Sequence, residues 1–317
     1  MLELRAAVVG AGRLGSFHAQ KYRAMAGVKL AHVVDINREH ARRVASENGA
    51  EALVHHGQLK GRVDLASVTA SSSAHFKVAA DLLRAGIDVL IEKPMTATVG
   101  EARKLVSIAH ASGRILQVGH LERFNPAIIG LRAILKNPRF VECDRLAPFT
   151  ERGTDVDVIL DLMIHDIDVI VSLTGADVVK VEATGVAVLT DTIDVATAHV
   201  RFSNRMVGNL NSSRVAPRRQ RKIRFFQPDA YISVDYEERK IQIYRKSAAP
   251  SGKYPTISAE QIDFEESDAL ADEIASFVNT VRTRGTPAVT ALDGLRALEI
   301  CEKIKAAMEA EDAASTE

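Results

Sequence analysis

The chain has 317 residues, 41 acidic and 41 basic residues, and 46% hydrophobic residues. This length is enough for two domains with separate cores, and the neutral balance argues against nucleic acid or an anionic membrane as a partner. No uncharged apolar stretch approaches a membrane span, and the first predicted strand starts so near Met1 that we expect no signal peptide. Cys143 and Cys301 lack metal-ligand spacing, so we expect free thiols in a cytoplasmic protein.

The first motif is a glycine-rich turn, Gly10-Ala11-Gly12-Arg13-Leu14-Gly15, directly after the apolar run 6–9. A second apolar run ends at Asp35, twenty residues after Gly15. Strand, turn, helix, strand and acid in this order are typical of a dinucleotide site. The turn would hold the pyrophosphate at a helix N-terminus, and Asp35 would bind the adenine ribose. A carboxylate there favours NAD, although Arg38 nearby leaves NADP as an alternative.

Strands and helices alternate over residues 1–119. The predicted strands lie at 4–9, 29–34, 64–69, 88–91 and 115–118, with helices near 14–26, 38–48, 75–86 and 98–112. This alternation predicts an α/β Rossmann domain with a parallel sheet covered on both faces. The strand ends are followed by Gly10, Asp35, Ser71, Glu92-Lys93 and His120. Because ligands bind outside the carboxyl ends of such strands, we expect one cleft there.

The pattern changes after Asn125-Pro126. Helices near 126–136 and 157–174 flank a strand near 139–147; strands follow at 178–190, 194–202, 205–213, 220–227, 230–235 and 239–244, then helices near 267–283 and 291–308. We predict domains at 1–121 and 122–317, the second an α+β domain with a large, open, mostly antiparallel sheet. The last helix is expected to be able to pack back on the first domain. One face of the sheet needs a cover, which predicts a homodimer or homotetramer.

Two groups of polar residues are suited to acid–base chemistry. In Glu92-Lys93-Pro94, an ammonium at the lip of the sheet, beside a nicotinamide, would bind a substrate hydroxyl and help it lose its proton; the alternative is a solvated lysine. Asp161, His165 and Asp168 follow i, i+4, i+7 spacing on one side of an apolar helix. Histidine is suited to accept a proton near neutral pH, whereas the alternative is a polar stripe facing solvent or a subunit. No third metal ligand has supportive spacing, so no metal is expected.

Together these motifs resemble the Gfo/Idh/MocA oxidoreductases over essentially the whole chain. The segment Val68–His75 is similar to the family's A-T-P-x-x-x-H loop near the nicotinamide, while Gly153–Val158 departs from the family's glycine-rich approach to the catalytic helix. The resemblance implies that Lys93 and His165 are a catalytic pair and that Asp161 positions the substrate. It also implies cofactor contacts from Ser71, His75, Glu92 and Lys93.

A narrower resemblance comes from residues 119–126, Gly-His-Leu-Glu-Arg-Phe-Asn-Pro. They are similar to the branch of the family that acts on nucleotide-linked sugars, which implies oxidation of the 3-hydroxyl of UDP-N-acetylglucosamine for later transamination in lipid A or surface-sugar synthesis. Arg123 and Asn125 would then contact the sugar or the cofactor. The alternative is that Asn125 caps the helix that Pro126 begins.

The chain has one dense basic stretch: Arg214, Arg218, Arg219, Arg221, Lys222 and Arg224. Arg219 and Arg221 would share a strand face and bind a substrate diphosphate. A solvated edge strand and an ion-paired subunit contact remain alternatives. The stretch is short and nearly lacks interleaved aromatics, so nucleic acid is not expected.

The residues leave two other functions open. A dehydrogenase of a free sugar or polyol such as inositol would need the same acid–base groups but no diphosphate contact. A non-enzymatic NAD-binding regulator is a third hypothesis, against which Lys93, Asp161 and His165 argue together.

Overall fold

The computed structural model describes residues 3–150, 156–247 and 254–314. The chain forms two compact units, Met1–Leu121 with Asp268–Leu298, and Glu122–Ser267 with Glu299–Glu317. The first division falls after residue 121. Residues 268–298 differ from the expected assignment, because they group with the first unit rather than with the second.

The first unit is a doubly wound α/β sheet, the predicted class. Its elements are β1 (Leu4–Val9), α1 (Arg13–Ala24), β2 (Val28–Val34), α2 (Arg38–Asn48), β3 (Glu51–Leu53), β4 (Leu65–Val68), α3 (Ser72–Arg84), β5 (Asp88–Glu92), α4 (Val99–Ser112), β6 (Leu116–Gly119), α7 (Ala269–Thr283) and the start of α8 (Ala291–Ala314). The strands are parallel in the order β3-β2-β1-β4-β5-β6. The strand order reverses between β1 and β4, which is where such sheets bind ligands.

Local signals in the sequence set the helix ends. The Asn37 side chain accepts hydrogen bonds from the first N–H groups of α2, and Gly49 ends that helix in the left-handed conformation. Thr98 and Gly113 bound α4 in the same way. The grouping of α7 with this unit has a different cause, since Ile274 and Phe277 are fully buried in the core formed by β1, β2 and α1.

The second unit is built on an eight-stranded sheet among the described residues. Its elements are α5 (Pro126–Ile134), β7 (Phe140–Leu146), α6 (Ile164–Thr174), β8 (Val178–Val186), β9 (Val195–Phe202), β10 (Val207–Ser213), β11 (Gln220–Gln227), β12 (Ala230–Asp235), β13 (Lys240–Lys246), β14 (Ile257–Asp263) and the rest of α8. The order is β14-β13-β12-β11-β7-β10-β9-β8, antiparallel except between β7 and β10. This confirms the predicted mostly antiparallel sheet. The short β3 and the exposed edge strand β14 were not expected.

The helix predicted at 157–174 is not a continuous α-helix. A π-helical turn at Ile159–Met163 precedes α6, so Asp161 and His165 are not related by regular α-helical spacing. The Asp157 carboxylate accepts a hydrogen bond from the Leu160 N–H at 2.9 Å and so fixes the start of this turn. In the approach segment, residues 153–155 lie outside the described residues.

The two faces of the large sheet differ in burial. Along β7, β12 and the part of β11 after Lys222, buried residues alternate with partly exposed ones. Helix α5 packs on β12 and β13, and the π-helical turn packs on β10. The face of partly exposed side chains is called the open face below. No helix in the described part of the chain combines the length and apolar character needed to cross a membrane.

Candidate active site

The glycine-rich turn has the geometry of a nucleotide cradle. Gly10 has φ +104°, and a Cβ there would lie 2.6 Å from the backbone N of Ala70. A Cβ on Gly15 would come within 1.8 Å of the Gly10 carbonyl oxygen, so both positions require glycine. A Cβ on Gly12, by contrast, would meet no described atom within 4 Å. The space before the N-terminus of α1 therefore suits a pyrophosphate.

The Asp35 carboxylate is fixed on the far side of this turn. Its Oδ2 accepts a hydrogen bond from Ala11 N at 2.6 Å, and Oδ1 accepts one from Asn37 N at 2.8 Å. A cavity of about 220 Å³ is lined by Gly10, Asp35 and Ser71. The structure thus brings three residues that the sequence predicts to bind the cofactor to one cavity.

Other residues near the turn lie either at the start of α1 or in the lining of the cavity. Arg13 and Leu14 are exposed at the start of α1, and the Arg13 guanidinium lies 5.6 Å from the centre of the Phe17 ring. Val54, His55 and His56 line the cavity but were not predicted. No local pattern marks them, because they follow the short strand β3.

His75 is buried and engaged by the backbone on both sides of its ring. Nδ1 lies 2.8 Å from the Pro94 carbonyl oxygen, and Nε2 lies 3.0 Å from the Ala70 carbonyl oxygen. The ring therefore joins the loop after β4 to the loop after β5. This arrangement holds Ser71, at the start of α3, and Lys93 on two connected loops.

Glu92 is the last residue of β5 and Lys93 follows it directly, close to the strand end that the sequence predicted at residue 91. Lys93 is half-buried, and the Lys93–Pro94 peptide bond is cis. The Glu92 Oε1 atom lies 3.0 Å from His18 Nε2. Burial alone would raise the pKa of Glu92, but the hydrogen bond from His18 and the neighbouring Lys93 ammonium leave that pKa lowered. Glu92 is therefore an ionised carboxylate at neutral pH, next to the lysine.

In the second unit, the helix of Asp161 and His165 is buried over most of its length. Between 157 and 171, the only residues that are not buried are Asp161, Leu162 and His165. The structure therefore presents both predicted chemical groups on the accessible part of this helix. Asp168, placed on the same side by the α-helical spacing, is instead buried.

Buried ion pairs hold this helix in place. Arg145 binds Asp166 through two hydrogen bonds of 2.9 Å, and its Nη1 lies 2.9 Å from Glu122 Oε1. The Tyr236 hydroxyl donates to Asp166, and the Arg145 guanidinium lies 5.1 Å from the centre of the Tyr236 ring. Burial would lower the pKa of Arg145, but the Asp166 and Glu122 carboxylates raise it well above its ordinary value.

Sequence reasoning missed Arg145, although a signal was present. In β7, Arg145 has the same parity as Val141 and Cys143, both fully buried. A charged residue on the buried side of a strand requires a buried partner of opposite charge. Asp166, the residue after His165, is that partner.

Arg123 and Asn125 have partners inside the second unit. Arg123 binds Asp168 with its Nε and Nη2 atoms at 2.8 and 2.6 Å. The Asn125 Oδ1 accepts from Ala127 N at 3.1 Å, and its Nδ2 donates to the Tyr236 carbonyl oxygen at 3.2 Å. The helix-capping alternative is thus what the structure shows for Asn125.

The basic stretch does not form one patch. Arg214 is buried against Asp194, whereas Arg224 binds Asp144. Arg219 and Arg221 both lie near Glu237, at 3.6 and 4.0 Å. Strand alternation sends neighbouring side chains to opposite faces. Arg219 and Arg221 therefore share one side, as expected, while Lys222 and Arg224 share the other.

Comparisons with known proteins agree with this architecture. The model of the Gfo/Idh/MocA oxidoreductase family, NAD-binding Rossmann fold, matches residues 4–120, and that of the family's C-terminal domain matches residues 128–233. The chain is 41% identical over 311 residues to UDP-N-acetylglucosamine 3-dehydrogenase of Acidithiobacillus ferrooxidans, covering 98% of this chain and 99% of that protein. A solved structure of that enzyme superposes with a TM-score of 0.92 at 40% identity, over 98% of this chain and 99% of that one.

More distant relatives act on inositols. Myo-inositol dehydrogenase of Streptomyces leeuwenhoekii is 33% identical over 228 residues, which is 67% of this chain and 70% of that protein. The scyllo-inositol dehydrogenase of Lactobacillus casei, solved with NAD(H) and scyllo-inositol, has a TM-score of 0.79 at 18% identity, over 97% of both chains, and shares the fold. The chain therefore belongs to the Gfo/Idh/MocA family of oxidoreductases, and its first unit carries that family's NAD-binding Rossmann domain.

Proposed function

We propose that this chain oxidises the 3-hydroxyl of UDP-N-acetylglucosamine to a ketone, with NAD as hydride acceptor. The observation that carries this proposal is the 41% identity over 98% of the chain to an enzyme of that name. The inositol dehydrogenase of Streptomyces leeuwenhoekii matches only 67% of the chain, at lower identity. The oriented Asp35 carboxylate supports NAD, because it would repel the 2′-phosphate of NADP.

The proposed chemistry needs one base, one cation and a hydride acceptor. NAD, when bound, accepts the hydride at C4 of its nicotinamide. His165 takes the proton of the sugar hydroxyl, Lys93 donates a hydrogen bond to the same oxygen and shares in the proton relay, and Asp161 orients the hydroxyl. The oxygen keeps its bond to carbon and becomes the carbonyl of the product. Support comes from the partial exposure of all three side chains among buried neighbours.

Substrate binding beyond the sugar ring is assigned to basic and amide side chains. Arg219 and Arg221 share one side of the β11 region and are proposed to bind the diphosphate. Arg123 and Asn125 are also proposed to contact the sugar or the cofactor; in the structure Arg123 is paired with Asp168 and Asn125 caps α5. The 3-keto product is suited to a later transamination, for which lipid A or surface-sugar synthesis is the proposed setting.

We also propose a cytoplasmic homodimer or homotetramer. In the described residues both cysteines are buried free thiols, which supports a reducing compartment. Four rings on the open face, Phe140, Phe226, Tyr231 and Tyr244, form a row with centre-to-centre distances of 5.6, 5.1 and 5.6 Å. This aromatic row supports assembly through the open face, because partly exposed aromatic rings are typical of interfaces.

The proposal is tested by NADH formation with several alcohols. We expect turnover with UDP-N-acetylglucosamine and NAD, with much weaker rates for NADP, free N-acetylglucosamine and myo-inositol. Turnover of myo-inositol in preference to the nucleotide sugar would overturn the substrate assignment. A preference for NADP would overturn the role of Asp35.

A further inference from the structure

A buried series of hydrogen bonds ends at Glu92, the residue before Lys93, and has no role in the chemistry described so far. The Tyr22 hydroxyl lies 2.8 Å from Ser67 Oγ, Ser67 Oγ lies 3.0 Å from His18 Nδ1, and His18 Nε2 lies 3.0 Å from Glu92 Oε1. Helix α1 supplies Tyr22 and His18, β4 supplies Ser67, and β5 supplies Glu92. Tyr22, Ser67 and His18 are completely buried.

The donors and acceptors of this chain fit one direction. Tyr22 donates to Ser67, Ser67 donates to His18 Nδ1, and the His18 Nε2–H group donates to the Glu92 carboxylate, so a neutral imidazole satisfies every partner. Ser67, His18 and Glu92 have the order of a hydrolase triad. Because Ser67 is completely buried, it cannot attack a substrate. The series of hydrogen bonds can therefore influence the chemistry only through Glu92.

Glu92 is closely enclosed at the end that His18 reaches. Its side chain is 12% exposed, and a Cβ on Gly119 would come within 3.0 Å of its Oε2 atom. The charged or titratable groups that act on it are His18 from α1, His75 from α3, the adjacent Lys93, and Glu273 from α7. A carboxylate in this position needs a hydrogen-bond donor to stay ionised.

We propose that His18 is a positioning residue of the dehydrogenase: it holds the Glu92 carboxylate in place and charged beside Lys93. This inference rests on the proposed function, because Lys93 is catalytic only there. Tyr22 and Ser67 hold His18 in the neutral tautomer that carries its proton on Nε2. His18 in turn stabilises the Glu92 carboxylate, the negatively charged group next to the Lys93 ammonium. The hydroxyl-binding cation therefore depends on a histidine that touches neither substrate nor cofactor.

The test compares rates at two pH values for four proteins: wild type, His18→Leu, Glu92→Gln and the double variant. Without His18, burial raises the pKa of Glu92, so the carboxyl becomes neutral at low pH and ionises again at high pH. We expect His18→Leu to be slower than wild type by about tenfold at about pH 6 and by less than about twofold at about pH 9. Glu92→Gln and the double variant should show one equal deficit at both pH values.

Two further variants separate this role from simple packing. His18→Gln keeps an N–H donor and should restore most of the rate without the new pH dependence. His32→Leu removes another buried histidine of the same unit, at β2, and should leave the rate unchanged at both pH values. A His18→Leu deficit that is the same at both pH values, or a double variant slower than Glu92→Gln, would overturn the proposal.

Failure of folding and failure of the proposed function are distinguishable from failure of this inference. If His18→Leu does not fold, Ser67→Ala carries the test and should show a smaller deficit that also shrinks as pH rises. If wild type does not oxidise the nucleotide sugar, the proposed function fails. The interaction between His18 and Glu92 is then tested by the melting temperatures of the four ligand-free proteins near neutral pH. Non-additive changes in melting temperature support the His18–Glu92 interaction, and additive changes refute it.

Discussion

Two individual side chains, one after a strand and one on a helix, carry the proposed acid–base chemistry. Lys93 follows β5 directly, and His165 is one of the few residues of its helix that is not buried. Both positions were predicted because their signals are local: a polar group after an apolar strand, and a histidine among apolar neighbours. The same holds for Gly10 and Asp35, whose proposed cofactor contacts follow from a turn and a fixed distance along the chain.

Removal of either acid–base group should reduce turnover without unfolding the protein. We expect Lys93→Ala and His165→Ala to lower kcat by about a hundredfold or more, the usual contribution of a positioned acid or base. Stopped-flow or steady-state NADH formation measures the effect. Lys104→Ala and His110→Ala, exposed positions on α4, are the matched controls and should retain the wild-type rate. Near-wild-type rates in both active-site variants would refute these roles.

His18 and Arg145, which sequence reasoning missed, obtain their roles from partners that are distant along the chain. His18 and Glu92 are 74 positions apart, and Arg145 and Asp166 are 21 positions apart. Their burial is visible in the periodicity of α1 and β7, but the partner is set by the order of strands in each sheet. Topology must therefore be known before such pairs can be assigned.

At the scale of elements, the largest difference from the sequence-based expectation is at the start of α6. Regular α-helical spacing grouped Asp161, His165 and Asp168, whereas the π-helical turn changes this spacing and Asp168 pairs with Arg123. A π-helical turn adds a residue without a composition signal of its own, and such turns are frequent at functional sites. Its position could not be read from apolar periodicity.

Helix α7 introduces a buried acid into the first unit. Glu273 is fully buried and neither carboxyl oxygen has a hydrogen-bond partner among the described residues. Burial, together with the charge of Glu92, raises its pKa well above the ordinary carboxyl value. As pH rises past the ordinary pKa of a glutamate side chain, the unfolded chain loses the Glu273 proton while the folded chain keeps it. The free energy of unfolding therefore decreases as pH rises.

Glu273→Gln should remove this dependence. We expect the variant to melt about 2–6 °C above wild type at neutral pH, with the difference disappearing by about pH 4, where both states of the wild-type residue are protonated. Thermal unfolding across this pH range measures it. Glu309→Gln, at an exposed position of α8, is the control and should follow wild type. A stabilisation that does not change with pH would contradict this explanation.

At the scale of the whole molecule, the open face is the expected site of assembly. Tyr231→Glu would place a charge in the middle of the aromatic row and should lower the molar mass measured by light scattering during size-exclusion chromatography. Tyr254 is 74% exposed outside the row, so Tyr254→Glu should leave the mass unchanged. An unaltered mass for both variants would contradict assembly through the open face.

The central claim concerns one carbon atom of one substrate, and an isotope label tests it most directly. Wild-type protein is incubated with NAD and UDP-N-acetylglucosamine that carries deuterium at C3, and the products are analysed by mass spectrometry. The account predicts that the deuterium appears in the reduced cofactor and that the sugar is recovered as its 3-ketone. Reduced cofactor without deuterium, or no reduction by a folded protein that binds NAD, would contradict it.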